Sequence, residues 1–372
     1  MLRLTPGPKF SALTALALLL AGCGHDHDFD GYYVPVSPIL LALPYETTIG
    51  SVIDPANGGD LNPHGLAIAP VSIGPVTQGD LIVCNFNDGA TNTQGQGTTI
   101  VGLSPTKGAT PYTIAQSPLL KGCSEVAVLP DGNIVAAANV ANDVVLVTPQ
   151  GTPGHPSAGV ISQPFSSDTF SGPWGLVFAA EPNGNALYVT NSGTGTIDRI
   201  ALTSTDTQAS FTEIASGFSV NGGAPGSILA PAGLTYDPSI DTLYVVDSNA
   251  NRVVSIDAVS RIGTDGVVVT GTSFSGASAT DVGIVASGSP LNGPISSALL
   301  YSGNLVVGNT LDPNGTNLLL ELVPDYGFFG TRNVDVDQAG AIFGIATAGT
   351  NAGNQAIFFN DDNDSSVKVL SN

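Results

Sequence analysis

The chain has 372 residues; Gly (46) and Pro (26) make up about a fifth of it, yet 42% of residues are hydrophobic and only 10% are charged. That balance excludes a disordered chain and one built of long salt-bridged helices, and points to many short strands joined by turns. The formal net charge of −21 repels phosphate backbones and anionic headgroups, so no nucleic-acid partner is expected and a membrane is met only through an anchor.

In chain order, residues 1–22 read as a cleaved targeting segment. Arg3 and Lys9 precede an apolar run from Phe10 to Ala21, which is shorter than the roughly 20 residues that cross a bilayer. Leu20-Ala21-Gly22-Cys23 resembles the bacterial lipobox, whose cysteine is lipidated and becomes the new N-terminus. The resemblance implies a cell-envelope lipoprotein anchored through Cys23 and facing periplasm or exterior. Gly24, standing where an Asp would retain it at the inner membrane, favours the outer membrane. Residues 23–38 form a tether, and residues 39–372 the folded domain. The tether's His25-Asp26-His27-Asp28 run has metal-binding composition in a single copy and is read as a polar spacer.

From about residue 60 a repeat begins. Its first strands open at Pro63 (PHGLAIA), Cys123 (CSEVAVLPDG), Pro173 (PWGLVFA), Pro231 (PAGLTYD), Pro294 (PISSALL) and Thr331 (TRNVDVDQAG). Second strands follow at 80–88, 133–143, 186–193, 242–249, 304–312 and 341–349, and third strands after them (TTIVGLS, DVVLVTP, TIDRIAL, RVVSID, NLLLELV, QAIFF). Candidate fourth strands are PYTIAQ, FTEIAS and SVKVL. Such units cannot bury both faces alone. Stacking six of them around an axis does so, which predicts an all-β, six-bladed propeller. Closure stays open: either Tyr45 to Ile49 or Ser366 to Leu370 supplies the outer strand of the last blade.

The copies at Trp174 and Ala232 resemble the NHL repeat. Leu243-Tyr244-Val245-Val246-Asp247 and Asn251-Arg252-Val253 match its pattern, and Leu187-Tyr188-Val189-Thr190-Asn191 its middle. The resemblance covers roughly residues 62–370 and implies an NHL/TolB-like propeller; Arg252 is then a blade-packing residue.

In a propeller the residue before each repeat glycine lines the channel mouth. That ring reads His64, Ser124, Trp174, Ala232, Ile295 and Arg332. The leading expectation is a noncatalytic binding or scaffold module for a protein or small-molecule ligand, with Trp174, Asn85, Asn191 and Asp247 as binding candidates and no cofactor required. The alternative is an enzyme. Resemblance to gluconolactonase-like propellers implies a calcium-dependent lactonase or esterase, for which Glu125 and Asn333 are the metal candidates. Resemblance to virginiamycin B lyase and the peptidylglycine amidating lyase implies a histidine-assisted site, but only His64 and His155 lie outside the tether. Catalytic candidates are His64, Glu125 and Arg332. Asn360 to Ser366 (NDDNDSS) forms an acidic loop without the Gly and Glu of an EF-hand. Cys84 and Cys123 are a candidate disulfide between the first two blades.

Overall fold

The computed structural model describes residues 37–372 other than 166–167, 314 and 337–338. Cys23 and the tether histidines therefore lie outside the described residues. Six sheets, antiparallel but for one strand pairing, follow one another along the chain. Blade one comprises Leu61–Ile68, Leu81–Asn87, Thr99–Leu103 and Tyr112–Gln116, in that order from the axis outwards. Blades two to five open on Cys123–Val128, Pro173–Glu181, Pro231–Asp237 and Pro294–Leu299, and blade six on Ile342–Ala348.

The second strands show why the pattern folds this way. Every residue of Leu81–Asn87 and of Thr242–Asp247 is buried, because a neighbouring sheet covers each face. Alternate residues serve opposite neighbours: Ile82 and Cys84 pack towards blade two, Leu81 and Val83 towards blade six. Six such apolar clusters fill the six junctions between blades, and a seventh sits on the axis.

Of the two closure alternatives, the N-terminal one supplies the outer strand. Ser366–Ser371 is the third strand of blade six, and Tyr45–Ser51 pairs antiparallel with it as the outermost strand, Tyr45 opposite Ser371. The ring is thus closed by the beginning and the end of the described chain in one sheet. Just before that strand, Ile39–Ala42 forms a single helical turn, and Leu40 N–H donates to Glu321 Oε2 at 2.8 Å.

Two further expectations are corrected. The run at Thr331 is not an inner strand: Gly327–Asn333 is the outermost strand of blade five. The three strands assigned to blade six move inwards by one place, so that Ile342–Ala348 is first, Ala356–Asp361 second and Ser366–Ser371 third. Second, blade three has six strands. The connection between Arg252–Ile256 and Val282–Ser287 in blade four contains a hairpin, Val267–Thr270 with Ser273–Ser275. It lays its first strand parallel to the edge of blade three, Ala215 opposite Val267, and buries Val267 and Val269 there.

Candidate functional site

Five of the six expected ring residues reach the axis. The repeat glycines explain how: a Cβ on Gly175 would fall 1.9 Å from Ala232 O, and one on Gly344 2.3 Å from His64 O. Neighbouring inner strands thus approach backbone to backbone, as only glycine allows. Small polar side chains stitch the ring. Thr190 Oγ1 donates to Ala232 O (2.9 Å), Ser124 Oγ to Trp174 O (2.9 Å), and Asn360 Nδ2 to His64 O (2.8 Å).

The sixth ring residue is Phe343, not Arg332. Phe343-Gly344-Ile345-Ala346 repeats the form of His64-Gly65-Leu66-Ala67, a signal present in the sequence. With Phe343 in place the channel is plugged. The His64 ring lies between Phe86 (4.0 Å, 5° between planes) and Phe343 (3.9 Å, 10°), and Trp174 meets it edge-on at 5.6 Å. Ala232 and Ile295 complete the plug. Neither His64 ring nitrogen has a hydrogen-bond partner, and burial pushes its pKa down to about 3. His64 is a neutral, stacked ring, which suits packing better than proton transfer.

The plug divides the axis. Below it an axial chamber of about 340 Å³ runs between all six inner strands. Glu125 lines that chamber and also a small void against His64 and Ser124. Its Oε1 accepts the N–H groups of Leu66 (3.2 Å) and Val126 (3.0 Å), and burial pushes its pKa up to about 8. The backbone bonds oppose that rise and do not overcome it. Above the plug the mouth opens into a hollow of about 390 Å³. Trp174, Ile295 and Phe343 form its floor; Ile228, Gln94 and Asp362 are on its walls. The long connection before Pro231–Asp237 leans across it: a Cβ on Gly226 would fall 1.6 Å from Gln94 Oε1. Asn221 holds that loop in shape, accepting from Gly223 and Leu229 N–H, both at 2.9 Å.

The remaining candidates are elsewhere. Arg332 sits on the outer strand of blade five, where it donates to Leu43 O and pairs with Glu46 at 4.0 Å, clamping the N-terminal segment. Asn333 accepts from Asn317 N–H (2.8 Å) and donates to Gly315 O (3.1 Å) on the same strand, remote from Glu125's place on the axis. Asn85 is fully buried and donates to Val52 O and Thr99 Oγ1, both at 3.2 Å. Asn191 is fully buried and donates to Asp198 Oδ2 at 2.6 Å; Asp247, also buried, pairs with Arg252 Nε at 2.8 Å. These three cap strand ends from inside and present nothing to the mouth; Trp174 alone of the binding candidates reaches it. Cys84 and Cys123 are joined as a disulfide across blades one and two, Cα atoms 5.4 Å apart.

The donor set does not suit calcium, which takes six to eight oxygens. Glu125 stands without a second carboxylate, and among the described residues no three His, Cys, Asp or Glu gather as a metal group. In the acidic loop the cation is part of the chain. Asp361 and Asp364 (2.9 Å) converge on Lys368 Nζ. Burial opposes the ammonium's charge, but its bonds to the two carboxylates outweigh that and hold its pKa above the ordinary value.

Fold and closure define the class: a six-bladed β-propeller whose first strand completes its last blade. Solved structures of several kinds resemble the chain in fold. A gluconolactonase from Xanthomonas campestris matches at 12% identity over 90% of this chain and 98% of its own, with a TM-score of 0.54. The calcium-binding protein regucalcin from Agrobacterium tumefaciens matches at 15% identity over 87% and 95%, TM-score 0.54. Virginiamycin B lyase from Staphylococcus aureus matches at 15% identity over 88% and 98%, TM-score 0.50. At these identities the likeness is one of fold. No family model and no curated protein matches the chain.

Proposed function

We propose that this chain is a noncatalytic, NHL-like binding propeller of the cell envelope, held through a lipidated Cys23, that takes a small molecule or an extended peptide side chain in its mouth pocket. One observation carries the reading: the ring position residues are spent on an aromatic plug, which turns the mouth into a closed-bottomed, apolar-floored hollow of about 390 Å³. That volume falls in the usual range for small-molecule pockets, ~300–1,000 Å³. The rival reading as a lactonase, esterase or lyase draws on neighbours that are mostly enzymes. It lacks a matching donor set around Glu125 and gives His64 no partner to orient it.

The test uses the purified chain. A fragment screen read by Trp174 emission exploits the only tryptophan in the sequence. Fragments are expected to shift that emission, and Ser227→Phe, which fills the hollow from its exposed rim, is expected to abolish the shifts. Calcium-dependent hydrolysis of a lactone or ester panel, or a calcium-induced rise in Tm that Glu125→Gln removes, would overturn the reading in favour of the enzyme.

A further inference from the structure

Resting on that reading of the mouth as a binding pocket, we propose that its ligand is an organic cation: a protonated amine carried on an apolar or aromatic body. Asp362 is the one ionisable side chain among the described residues that line the hollow. Its backbone is fixed, N–H donating to Ala341 O at 2.7 Å, but its half-buried carboxylate has no hydrogen bond or ion pair among the described residues. Burial, and then the charge of Asp361, push it up to about 7. A cation placed beside it would restore the ionised form and gain a pairing in a partly dry site.

Among the described residues no cation does this. Lys368, whose carboxylate partners flank Asp362 in sequence, is committed to Asp361 and Asp364. No Lys, Arg or His lines the hollow among the described residues, and the whole chain carries 9 basic residues against 30 acidic ones. An anionic ligand would be repelled by Asp362 and by the overall field, and a neutral ligand would offer it at most an uncharged hydrogen bond, weaker than the charge-assisted one of an ammonium. The rest of the ligand is defined by the floor. Trp174, Ile295 and Phe343, with Ile228 and Leu229 at the side, offer aromatic and aliphatic surface for a body of matching polarity. Trp174 adds a ring face or edge near which a cationic group is favoured.

Three isosteric probes test the charge: 3-phenylpropylamine as the cation, 3-phenylpropanol as the neutral form and 3-phenylpropionate as the anion, each titrated at pH 8 against Trp174 emission and by calorimetry. The amine is expected to bind at least about tenfold more tightly than the alcohol, and the carboxylate more weakly than either. Asp362→Asn should remove the amine's advantage and leave the alcohol's affinity within about twofold. Because the Asp362 side chain holds nothing in place and its burial disfavours the charge, that variant should lose no stability, its Tm at pH 8 equal to or above the wild-type value. Ser227→Phe should weaken all three probes and so locate them. Equal affinity for amine and alcohol, or an amine advantage that survives Asp362→Asn, overturns the cation proposal while leaving the pocket standing. Failure of all three probes at millimolar concentration overturns both.

Discussion

The imidazole of His64 lies face to face with the ring of Phe343, centroids 3.9 Å apart and planes 10° apart. One residue opens blade one and the other opens blade six, so the contact links the first and last inner strands across the axis. Phe86 stacks on the opposite face of the imidazole at 4.0 Å. The plug, and with it the division of the channel into two chambers, depends on this stack.

A neutral, unbonded imidazole packed this way should be replaceable by a hydrocarbon. Burial holds the folded pKa of His64 at about 3, below the ordinary 6.5. The unfolded chain therefore takes up this proton first, and stability is lost as pH falls from 6.5 towards 3. His64→Leu should match or exceed wild-type stability at pH 7. It should also flatten the acid limb by up to about 1.4 kcal/mol per pH unit. Urea denaturation at pH 7, 5 and 4 checks this; a loss equal at every pH would sink it.

Glu125 and Asp198 have the opposite sign. Burial raises them to about 8 and about 7 from ordinary values of 4.5 and 3.8. As pH climbs from about 4 to 8 the unfolded chain ionises first, so both groups cost stability as pH rises. Glu125→Gln keeps an acceptor for Leu66 and Val126 N–H, and Asp198→Asn one for Asn191. Both variants should equal wild type near pH 4 and exceed it at pH 8, as read from thermal melts across that range.

Arg252 and Asp247 form a buried pair, and Arg252 also donates to Gly271 O at 2.7 Å, at the turn of the inserted hairpin. Arg252→Met should cost about 3–5 kcal/mol by leaving Asp247 buried without its cation. Adding Asp247→Leu should recover much of that loss. A denaturant double-mutant cycle measures it, and strict additivity of the two changes would contradict the coupling.

Closure by the N-terminal strand predicts a sharp boundary. A chain beginning at residue 53 lacks Tyr45–Ser51 and exposes the edge of Ser366–Ser371, so it should lose on the order of 5 kcal/mol or unfold outright. A chain beginning at residue 37 should keep the full Tm. Arg332→Ala, which releases Leu43 O, should cost about 1–2 kcal/mol and leave binding at the mouth untouched.

Free-thiol titration in denaturant without reductant should find neither Cys84 nor Cys123 reactive. Reduction should lower stability by about 2–4 kcal/mol, since the bond closes a sequence separation of 39 residues. Two reactive thiols would refute the pairing.

The repeat was legible because its physics is local. Runs such as Thr242–Asp247, apolar on both faces and ended by Asp or Asn, read as strands buried between sheets, and that is where they lie. Five ring residues followed from the glycine, or its stand-in, that comes after each. The sixth did not: Asn333 after Arg332 passed as a stand-in like Glu125 and Ser296, while Gly327–Asn333 and Ile342–Ala348 both have the composition of a strand. Pairing settles that choice: Leu320 faces Thr331 on one side of the sheet order, and Ile345 faces Phe359 in the next sheet. Asn85, Asn191 and Asp247 were binding candidates, but their side chains turn inwards, Asn85 and Asn191 to buried backbone and hydroxyl oxygens and Asp247 to the Arg252 guanidinium.

By itself the sequence determined the blade count, the strand character and the residues that open most inner strands, since these rest on spacing, turn chemistry and apolar runs. Tertiary structure alone decided that Phe343 joins His64 in a plug, that Lys368 fills the acidic loop and that Asp362 is left facing the hollow. Those outcomes depend on which distant strands meet at the axis and on which charges find partners. Phe343-Gly344, like His64-Gly65, marks the start of an inner strand, but no local pattern states which side chains then meet.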